Sequence, residues 1–166
     1  MIVFRQLKQD DSESLYMLIN DIECSLPDAT WWLPIKKTAQ EHFFDKSWTI
    51  FYGAFDKDKL VAASGLFINP YEYAECAIQL GLNLDKTAEI GRCMVLPDYR
   101  GHNLMFMLNK LLIEEALKLD RSTIIATAHP NNISSNKSLI KLGMSIKGKI
   151  VKMDSYPRNI LVMHLT

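Results

Sequence analysis

The chain has 166 residues and a mass of 19.0 kDa, a size that favours one domain, residues 1–166, with its own hydrophobic core. Lys and Arg together number 19, as do Asp and Glu, so the formal charge is zero and no general attraction to nucleic acid or anionic lipid follows. The three cysteines have no zinc-ligand spacing, and neither a signal peptide nor a membrane-spanning run is evident. We therefore expect a cytoplasmic protein with reduced thiols and without a metal, nucleic-acid or membrane partner.

The first half of the chain predicts a strand, two helices and a hairpin. Residues 2–7 alternate between apolar and polar, as in a half-buried strand. N-cap residues at 10–12 then begin a helix with apolar residues at helical spacing, which Pro27 ends. The elements that follow are an aromatic connector with Trp31, Trp32 and Pro34, a short helix at 38–44, and two strands at 48–55 and 60–68 joined by a polar turn.

The second half predicts alternating strands and helices. A short helix within 71–80 and a loop at 81–86 come before a strand at 88–95, which Pro97 stops. A clear amphipathic helix spans 102–119. The remaining elements are a strand at 123–128, a helix at 132–142 stopped by a left-handed Gly143, and two strands at 146–152 and 160–165 around a Tyr156–Pro157 turn. This order predicts an α/β fold with a mixed sheet and helices on its faces.

Two segments carry the strongest functional pattern. VLPDYRGHNL begins at Val95 and HPNNISSNKSLIKLGM begins at His129, and each is a strand end, a polar turn and a helix start. The first N–H groups of a helix have no partner within the helix and suit an anion. Two such turns one strand apart suggest a ligand with a phosphate at one end and amides along its length, which is the shape of acyl-coenzyme A.

The two segments resemble the cofactor motifs of the GNAT N-acetyltransferase superfamily. The family pattern in the first is Arg/Gln-x-x-Gly-x-Gly/Ala, usually after Val-x-Pro-x-Tyr, and the second is an Asn-led helix ending in Lys-x-Gly-Phe. The motifs occur here between Glu89 and Met144, in the family's order. The resemblance implies a GNAT-like acyl-CoA N-acyltransferase fold, with a central, mostly antiparallel sheet of six to seven strands and helices on both faces.

The resemblance also implies an acetyl-CoA site. The main-chain N–H groups of the first turn would surround the pyrophosphate, with a charge-assisted contact from Arg100. The edge of the preceding strand would pair with the pantetheine amides as an added strand would. The residues implied at this site are Arg100, Gly101, His102, Asn103, Leu104 and Met105 at the turn, Cys93, Met94 and Val95 at the strand edge, and Asn132 and Ser135 beside the pantetheine arm.

The chain departs from the family pattern at three positions. Asn103 and Met105 stand where the family has small residues, and Asn tolerates the left-handed region better than most other residues. Leu139 stands where many relatives have a Tyr that protonates the departing thiolate. Leucine donates no proton, so an acid would come from elsewhere or from water.

Acetyl transfer to an amine needs a base, since amines with a pKa of ~10 are mostly protonated at neutral pH. Glu89 is the only acid between Lys86 and Pro97 and is therefore the candidate. Strand alternation predicts that it shares a face with Gly91, Cys93 and Val95, and its alternative role is an exposed strand-end glutamate. A main-chain N–H near Met94 or Val95 would polarise the thioester carbonyl.

The other candidates each have a structural alternative. His129 follows a strand, but a role in stabilising the turn before Pro130 is favoured, and Cys93 is expected to be a buried structural thiol. Five lysines could meet the adenosine 3′-phosphate or form a solvated face: Lys137, Lys141, Lys147, Lys149 and Lys152. Four aromatic residues could wall the acceptor pocket, pack in the core or form a homodimer contact: Trp31, Trp32, Tyr71 and Tyr73.

We therefore predict an acetyl-CoA-dependent N-acetyltransferase that transfers the acetyl group directly, in a ternary complex, to a primary amine of a small molecule or a protein. The alternative is a GNAT-fold acyl-CoA-binding or sensor protein with weak catalysis. A Glu89→Gln substitution separates the two, because only an enzyme that relies on this carboxylate loses turnover.

Overall fold

The apolar and alternating runs of the sequence form one seven-stranded sheet in the computed structural model, which describes residues 1–166. Its strand order is β1-β2-β3-β4-β5-β7-β6, and β4 and β5 form the one parallel pair. This mostly antiparallel mixed sheet confirms the predicted fold class. The strands are β1 (Ile2–Gln6), β2 (Thr49–Asp56), β3 (Lys59–Phe67), β4 (Thr87–Val95), β5 (Thr123–Ala128), β6 (Ser145–Lys152) and β7 (Tyr156–His164).

Five α-helices cover the two faces of the sheet. They are α1 (Ser12–Ser25), α2 (Lys37–Glu41), α3 (Ala74–Gln79), α4 (Leu104–Lys118) and α5 (Ile133–Leu142). Apolar residues of α1 and α3 pack on one face, and those of α4 and α5 pack on the other. None of these helices is both long and apolar enough to cross a membrane.

The amphipathic patterns explain which helix faces are buried. Leu108 and Leu112 of α4 and Leu15 of α1 are completely inaccessible to solvent. Each such side chain stabilises the fold by roughly 1.5–3 kcal/mol relative to an exposed position. Gly143 ends α5 with a φ of 117°, in the left-handed region that its position at the end of the helical pattern predicts.

The turn between β6 and β7 lies three residues earlier than predicted. Met153 and Asp154 have φ values of 49° and 61°, while Tyr156 and Pro157 already pair with β6. The prediction of a Tyr156–Pro157 turn was wrong because Pro is also tolerated at the start of a strand. There, on the β5 side, pairing begins only at Asn159.

The central strands separate after a short paired stretch. β4 pairs with β5 at only three positions, and the last pair joins Glu89 to Ile125. Beyond Glu89, the β5-facing edge of β4 has no strand partner. On the other edge, the register with β3 shifts so that Arg92 and Cys93 stand opposite Ser64. This β-bulge changes the direction in which the following side chains point.

Candidate active site

The gap between β4 and β5 forms a cleft of about 420 Å³. The connector between α1 and α2, residues 26–36, covers one side of the cleft. The turn before α4 and the first turn of α5 border the other side. The cleft therefore joins both segments that carried the sequence pattern, as expected for turns that follow adjacent parallel strands.

The turn before α4 presents main-chain donors. Gly101 has a φ of 82° and Asn103 a φ of 64°, so both residues adopt the left-handed conformation. The N–H of Met107 donates to the Asn103 carbonyl at 3.1 Å, and the N–H groups at the three preceding helical positions have no carbonyl of an earlier helical turn to reach. This geometry makes the start of α4 suitable for an anion, and it shows that Asn103 adopts the conformation that a glycine would adopt.

The polar side chains of this turn are held by carbonyl oxygens. Arg100 Nε donates to the Val95 oxygen at 3.2 Å. Nδ1 of His102 lies 3.1 Å from the carbonyl oxygens of Tyr99 and Arg100, so its ring folds back on the turn and does not line the cleft. Arg100 and the half-buried Met105 do line it.

Lys141 of α5 reaches the same turn. Its Nζ donates to Asn103 Oδ1 at 3.0 Å and lies 4.7 Å from the centre of the Phe106 ring. The sequence grouped Lys141 with four other lysines. All of Lys137, Lys141, Lys147 and Lys149 are exposed, but only Lys141 forms a hydrogen bond with the turn before α4.

The outer part of β4 has a free main-chain edge. The N–H of Leu96 donates to the Val61 oxygen in β3 at 2.9 Å. Because successive residues of a strand direct their main-chain groups to opposite sides, the N–H and C=O of Val95 face away from β3 and into the gap. The contact from Arg100 to the Val95 oxygen is made on that side.

The bulge overturns one sequence expectation. Cys93 Sγ lies 3.1 Å from Ser64 Oγ and 3.7 Å from Asn109 Oδ1, on the α4 side of the sheet, while Glu89 points to the opposite side. The prediction that Glu89 shares a face with Cys93 and Val95 was wrong, because the extra residue at Arg92 interrupts the alternation. Burial raises the pKa of the Cys93 thiol, which agrees with a structural role.

Glu89 lies where β4 and β5 begin to separate, with its side chain lining the cleft and only 6% of its surface exposed. Burial raises the pKa of its carboxyl group to about 7. Lys152 and Arg92 act in the opposite direction, and Glu72 raises the pKa further. A carboxylate with this pKa exchanges a proton readily near neutral pH.

Three cations lie in the same part of the cleft: Arg92, Lys152 and Arg158. Sequence reasoning missed the two arginines, and it grouped Lys152 with lysines of a solvated face or a 3′-phosphate contact. Lys152 and Arg158 are 8% and 3% exposed, and none of the three belongs to the protein's four ion pairs. No local pattern marked them, since Arg92 lies at the bulge and Arg158 lies on a strand far along the chain. For Arg92 the signal would have been a basic residue inside a predicted strand that is expected to be buried. Arg158 gave no such signal, because it lies between the predicted strands at 146–152 and 160–165.

The start of α5 is held by side-chain amides. Asn132 Oδ1 accepts from the Ser135 N–H at 3.2 Å, and both residues line the cleft. The buried Asn136 donates to the His129 carbonyl at 2.9 Å. His129 Nδ1 accepts from the Asn131 N–H at 3.0 Å, so His129 has the turn-stabilising role that was favoured from the sequence.

Leu139 stands at the position where many relatives have a proton-donating Tyr, and its surroundings make no proton available. Leu139 is 2% exposed and lines the cleft. Tyr99 also lines the cleft, but its hydroxyl donates to Asp56 Oδ2 at 2.6 Å, which raises the pKa of the phenol. Neither side chain supplies a readily available proton.

The four predicted acceptor-pocket aromatics separate into two pairs. Trp31 and Trp32 line the cleft from the connector, and Trp31 lies 5.9 Å from the His129 ring. Tyr73 is completely buried, with its hydroxyl 2.7 Å from the Thr87 oxygen, and Tyr71 packs on Trp48 at the surface. The expectation that Tyr71 and Tyr73 line this cleft was wrong, because Tyr73 packs into the core and Tyr71 packs on Trp48, although Glu72 between them does line the cleft.

Comparison with known proteins agrees with this geometry. A family model described as the acetyltransferase (GNAT) family matches residues 12–144. Among curated proteins, the N-acetyltransferase YodP of Bacillus subtilis (strain 168) is 31% identical over 103 residues, or 62% of this chain. The match covers 33% of YodP, so this chain spans about one third of that relative's length.

Solved structures share the fold at low sequence identity. A probable acetyltransferase from Staphylococcus epidermidis ATCC 12228 has a TM-score of 0.77 at 18% identity, covering 100% of both chains. The Salmonella typhimurium protein yncA, solved with its cofactor acetyl-CoA, has a TM-score of 0.76 at 13% identity, covering 100% of this chain and 95% of that one. The family model covers most of the chain and includes both turns that border the cleft, and the protein therefore belongs to the GNAT acetyltransferase family.

Proposed function

We propose that the protein is an acetyl-CoA-dependent N-acetyltransferase that transfers the acetyl group directly to a primary amine of a small molecule. The observation that carries this proposal is the buried carboxyl group of Glu89, which lies in the cleft where β4 and β5 separate and has a pKa of about 7. Trp31 and Trp32 cover one side of the cleft, which favours a small acceptor over a protein amine.

The chain's own groups fit acetyl-CoA. The left-handed Asn103 and Gly101 direct main-chain N–H groups at the start of α4 toward a pyrophosphate, and Arg100 adds a positive charge beside them. Met105 lies beside the turn and leaves the cleft open. The free edge of β4 offers main-chain partners to pantetheine amides, with Asn132 and Ser135 of the facing turn beside it.

Glu89 is the proposed general base. An acceptor amine with a pKa of ~10 enters mostly as an ammonium ion, and the Glu89 carboxylate takes a proton from it. The raised pKa brings the carboxyl group closer to the pKa of the amine than an exposed glutamate would be, while most of it stays ionised above about pH 7. The neutral amine is then the nucleophile.

Main-chain donors at the β4 edge are the proposed electrophilic groups. The N–H of Val95 faces the gap and can donate to a carbonyl oxygen placed there. Bound acetyl-CoA supplies the acetyl thioester. When its C–S bond breaks, the departing thiolate, with an ordinary thiol pKa of ~8.5, needs no strong acid and takes up the proton that the attacking nitrogen loses. Leu139 is compatible with catalysis for this reason.

A second candidate function is an acyl-CoA sensor without efficient turnover. The observation that favours it is the apolar Leu139, which is buried at the cleft wall and supplies no proton. A sensor needs the cofactor end of the cleft but has no use for an ionisable carboxyl group at the other end. The buried Glu89, whose burial carries a free-energy cost, favours the enzyme.

Calorimetric titration of acetyl-CoA into the protein, followed by assay of thiol release with a panel of amines, tests the proposal. The control for binding is the Arg100→Ala, Asn132→Ala double variant, and the matched control for charge is Lys37→Gln, whose side chain is 91% exposed. Micromolar binding that only the double variant weakens, with amine-dependent thiol release, supports the enzyme. Binding without release supports the sensor, and no binding contradicts both.

A further inference from the structure

We infer that the acceptor amine carries a carboxylate group, which the guanidinium groups of Arg92 and Arg158 bind in the cleft between β4 and β5. The inference rests on the proposed function in one respect, since it takes the occupant of this part of the cleft to be the acetyl acceptor. It follows from the positions of the two arginines, from their burial and from the absence of an ion pair to either of them.

Arg158 is held in place by the main chain. It is 3% exposed and lines the cleft, and its Nη1 donates to the oxygens of Thr30 and Pro157 at 2.8 and 2.7 Å. A guanidinium has five N–H donors, so these two contacts through a single nitrogen leave others available. Burial lowers the pKa of Arg158 to about 10, and the nearby positive charge of Arg92 lowers it too.

Arg92 approaches from the opposite side of the cleft. The β-bulge gives it a φ of 54° and directs its side chain toward the connector. There Nη1 donates to the Leu33 oxygen at 2.5 Å, and the guanidinium lies 5.0 Å from the centre of the Trp32 ring. The Trp32 indole N–H is itself buried without an acceptor. A non-glycine residue with positive φ is strained, and strain of this kind is often found at binding sites.

The charges in this part of the cleft are not balanced. Three cations, Arg92, Lys152 and Arg158, line the cleft with two carboxyl groups, Glu72 and Glu89, while the exposed Glu23 of α1 acts on Arg92 from outside the cleft. None of the five takes part in an ion pair. With both carboxyl groups ionised, the groups that line this part of the cleft have an excess of one positive charge. A single carboxylate neutralises that excess, whereas a phosphate dianion exceeds it, and Arg binds carboxylate through paired hydrogen bonds.

The positions also orient such an acceptor. Glu89 and Arg92 both point to the α1 side of the sheet, and their Cα atoms are separated by roughly 10 Å or less along the strand. An amine near Glu89 and a carboxylate near Arg92 and Arg158 can therefore belong to one small molecule. The chemical class is an amino acid or another short amino-carboxylate.

The alternative is a purely structural role for the two arginines, in which they only hold the connector in place by donating to its carbonyl oxygens. That role predicts no preference for any anion. The two roles are therefore separated by binding, without reference to turnover.

The test measures the Kd of matched ligand pairs for the protein saturated with coenzyme A, which has no acetyl group to transfer. The pairs are glycine with methylamine, 5-aminopentanoate with pentylamine, and lysine with 1,5-diaminopentane. We expect the carboxylate member of at least one pair to bind about 10-fold more tightly or better, as paired charge-assisted hydrogen bonds do. In Arg158→Gln that preference should fall to about 3-fold or less, with coenzyme A affinity unchanged.

Two further variants separate loss of binding from loss of folding. Arg158→Lys keeps the charge but loses the paired geometry, and we expect an intermediate preference. Lys147→Gln removes an exposed charge outside the cleft and should match the wild type. The Kd values of the two members of a pair are also compared in the wild type. This comparison tests the inference even if Arg158→Gln does not fold.

Several results would overturn the inference: equal binding within every pair, no binding of any carboxylate member, a preference that survives in Arg158→Gln, or tighter binding of phosphoethanolamine than of the carboxylates. A thiol-release assay on the same panel separates the two proposals. A carboxylate preference without acetyl transfer contradicts the proposed function alone, and acetyl transfer without the preference contradicts this inference alone.

Discussion

The two ends of the cleft present different chemical groups to a ligand. At the turn before α4, the groups that we propose bind acetyl-CoA come mainly from the main chain, and the conformations of Gly101 and Asn103 direct them. At the other end, around Glu89, they come from buried charged side chains on separate strands. The first end depends on local backbone geometry, and the second depends on which distant residues the fold brings together.

This difference predicts how each end responds to substitution. A change at the turn should act through backbone conformation and should alter cofactor affinity. A change among the buried charges should act through electrostatics and proton transfer, and should alter turnover and its dependence on pH. Variants whose effects cross from one end to the other would contradict this division.

The largest effect is expected at Glu89. Removal of a general base typically reduces rates by about 100- to 10,000-fold, so Glu89→Gln should lower kcat/KM at neutral pH by about 100-fold or more. Its Kd for acetyl-CoA should stay within about 3-fold of the wild type, because the cofactor end is unchanged. Steady-state kinetics and calorimetry measure the two quantities. A large loss of acetyl-CoA affinity would show that the two ends are not independent.

A matched pair at Asn103 tests the main-chain end. Valine is strongly disfavoured at the observed φ of 64°, whereas glycine adopts it freely. We expect Asn103→Val to raise the Kd for acetyl-CoA by about 10- to 100-fold, from a backbone strain of roughly 1–3 kcal/mol. Asn103→Gly should stay within about 3-fold of the wild type. Equal losses in both variants would show that the Asn side chain, and not the backbone, is what matters.

The buried Glu89 should also affect stability in a pH-dependent way. Its folded pKa of about 7 lies above the ordinary value of 4.5, so the folded state holds the proton more tightly and the free energy of unfolding falls as the pH rises through that interval. Glutamine has no charge to bury. Glu89→Gln should therefore be more stable than the wild type by about 1–3 kcal/mol at pH 8 and nearly equal to it at pH 5.

Urea unfolding at the two pH values measures this difference. A Glu114→Gln variant, which removes an exposed carboxyl group from α4, is the control. Equal stability of Glu89→Gln and the wild type at pH 8 would contradict this expectation. It would show that the ionised Glu89 carboxylate is solvated in the folded protein.

The smallest effect is expected at Lys141, which is exposed and contacts Asn103 across the turn. An exposed charge interaction contributes up to about 1 kcal/mol, so Lys141→Gln should raise the Kd for acetyl-CoA by about 2- to 5-fold, and less at high salt. Lys137→Gln on the same helix makes no such contact and is the matched control. An unchanged Kd in Lys141→Gln would show that Lys141 does not contribute to acetyl-CoA binding and that the main-chain groups of the turn are sufficient.

The helices, the strands and the left-handed turn before α4 were predictable because their signals are local. The hairpin of β2 and β3, the α4 stripe and Gly143 each follow from residues close together in the sequence. The left-handed Asn103 follows likewise from residue type and spacing. The sequence pattern is sufficient to predict local structure wherever neighbouring residues determine the backbone conformation.

The charged end was only partly predictable, because its groups meet through tertiary structure. Glu89 was found as the one acid on its strand, but the bulge at Arg92 changed its same-face neighbours. Arg158 reaches the cleft from β7 to contact Thr30, 128 positions earlier in the chain. Tyr73 was misplaced because its aromatic character fits a pocket and a core equally well.

The pH dependence of kcat/KM in the wild type and in Glu89→Gln tests the central claim most directly. We expect the wild-type rate to rise with pH through an inflection near 7, where the carboxyl group ionises, and then to level off apart from a second rise due to the amine itself. In Glu89→Gln the inflection near 7 should be absent, while the rise due to the amine remains. An inflection that persists in the variant, or a wild-type profile without one, would contradict the assignment of Glu89 as the base.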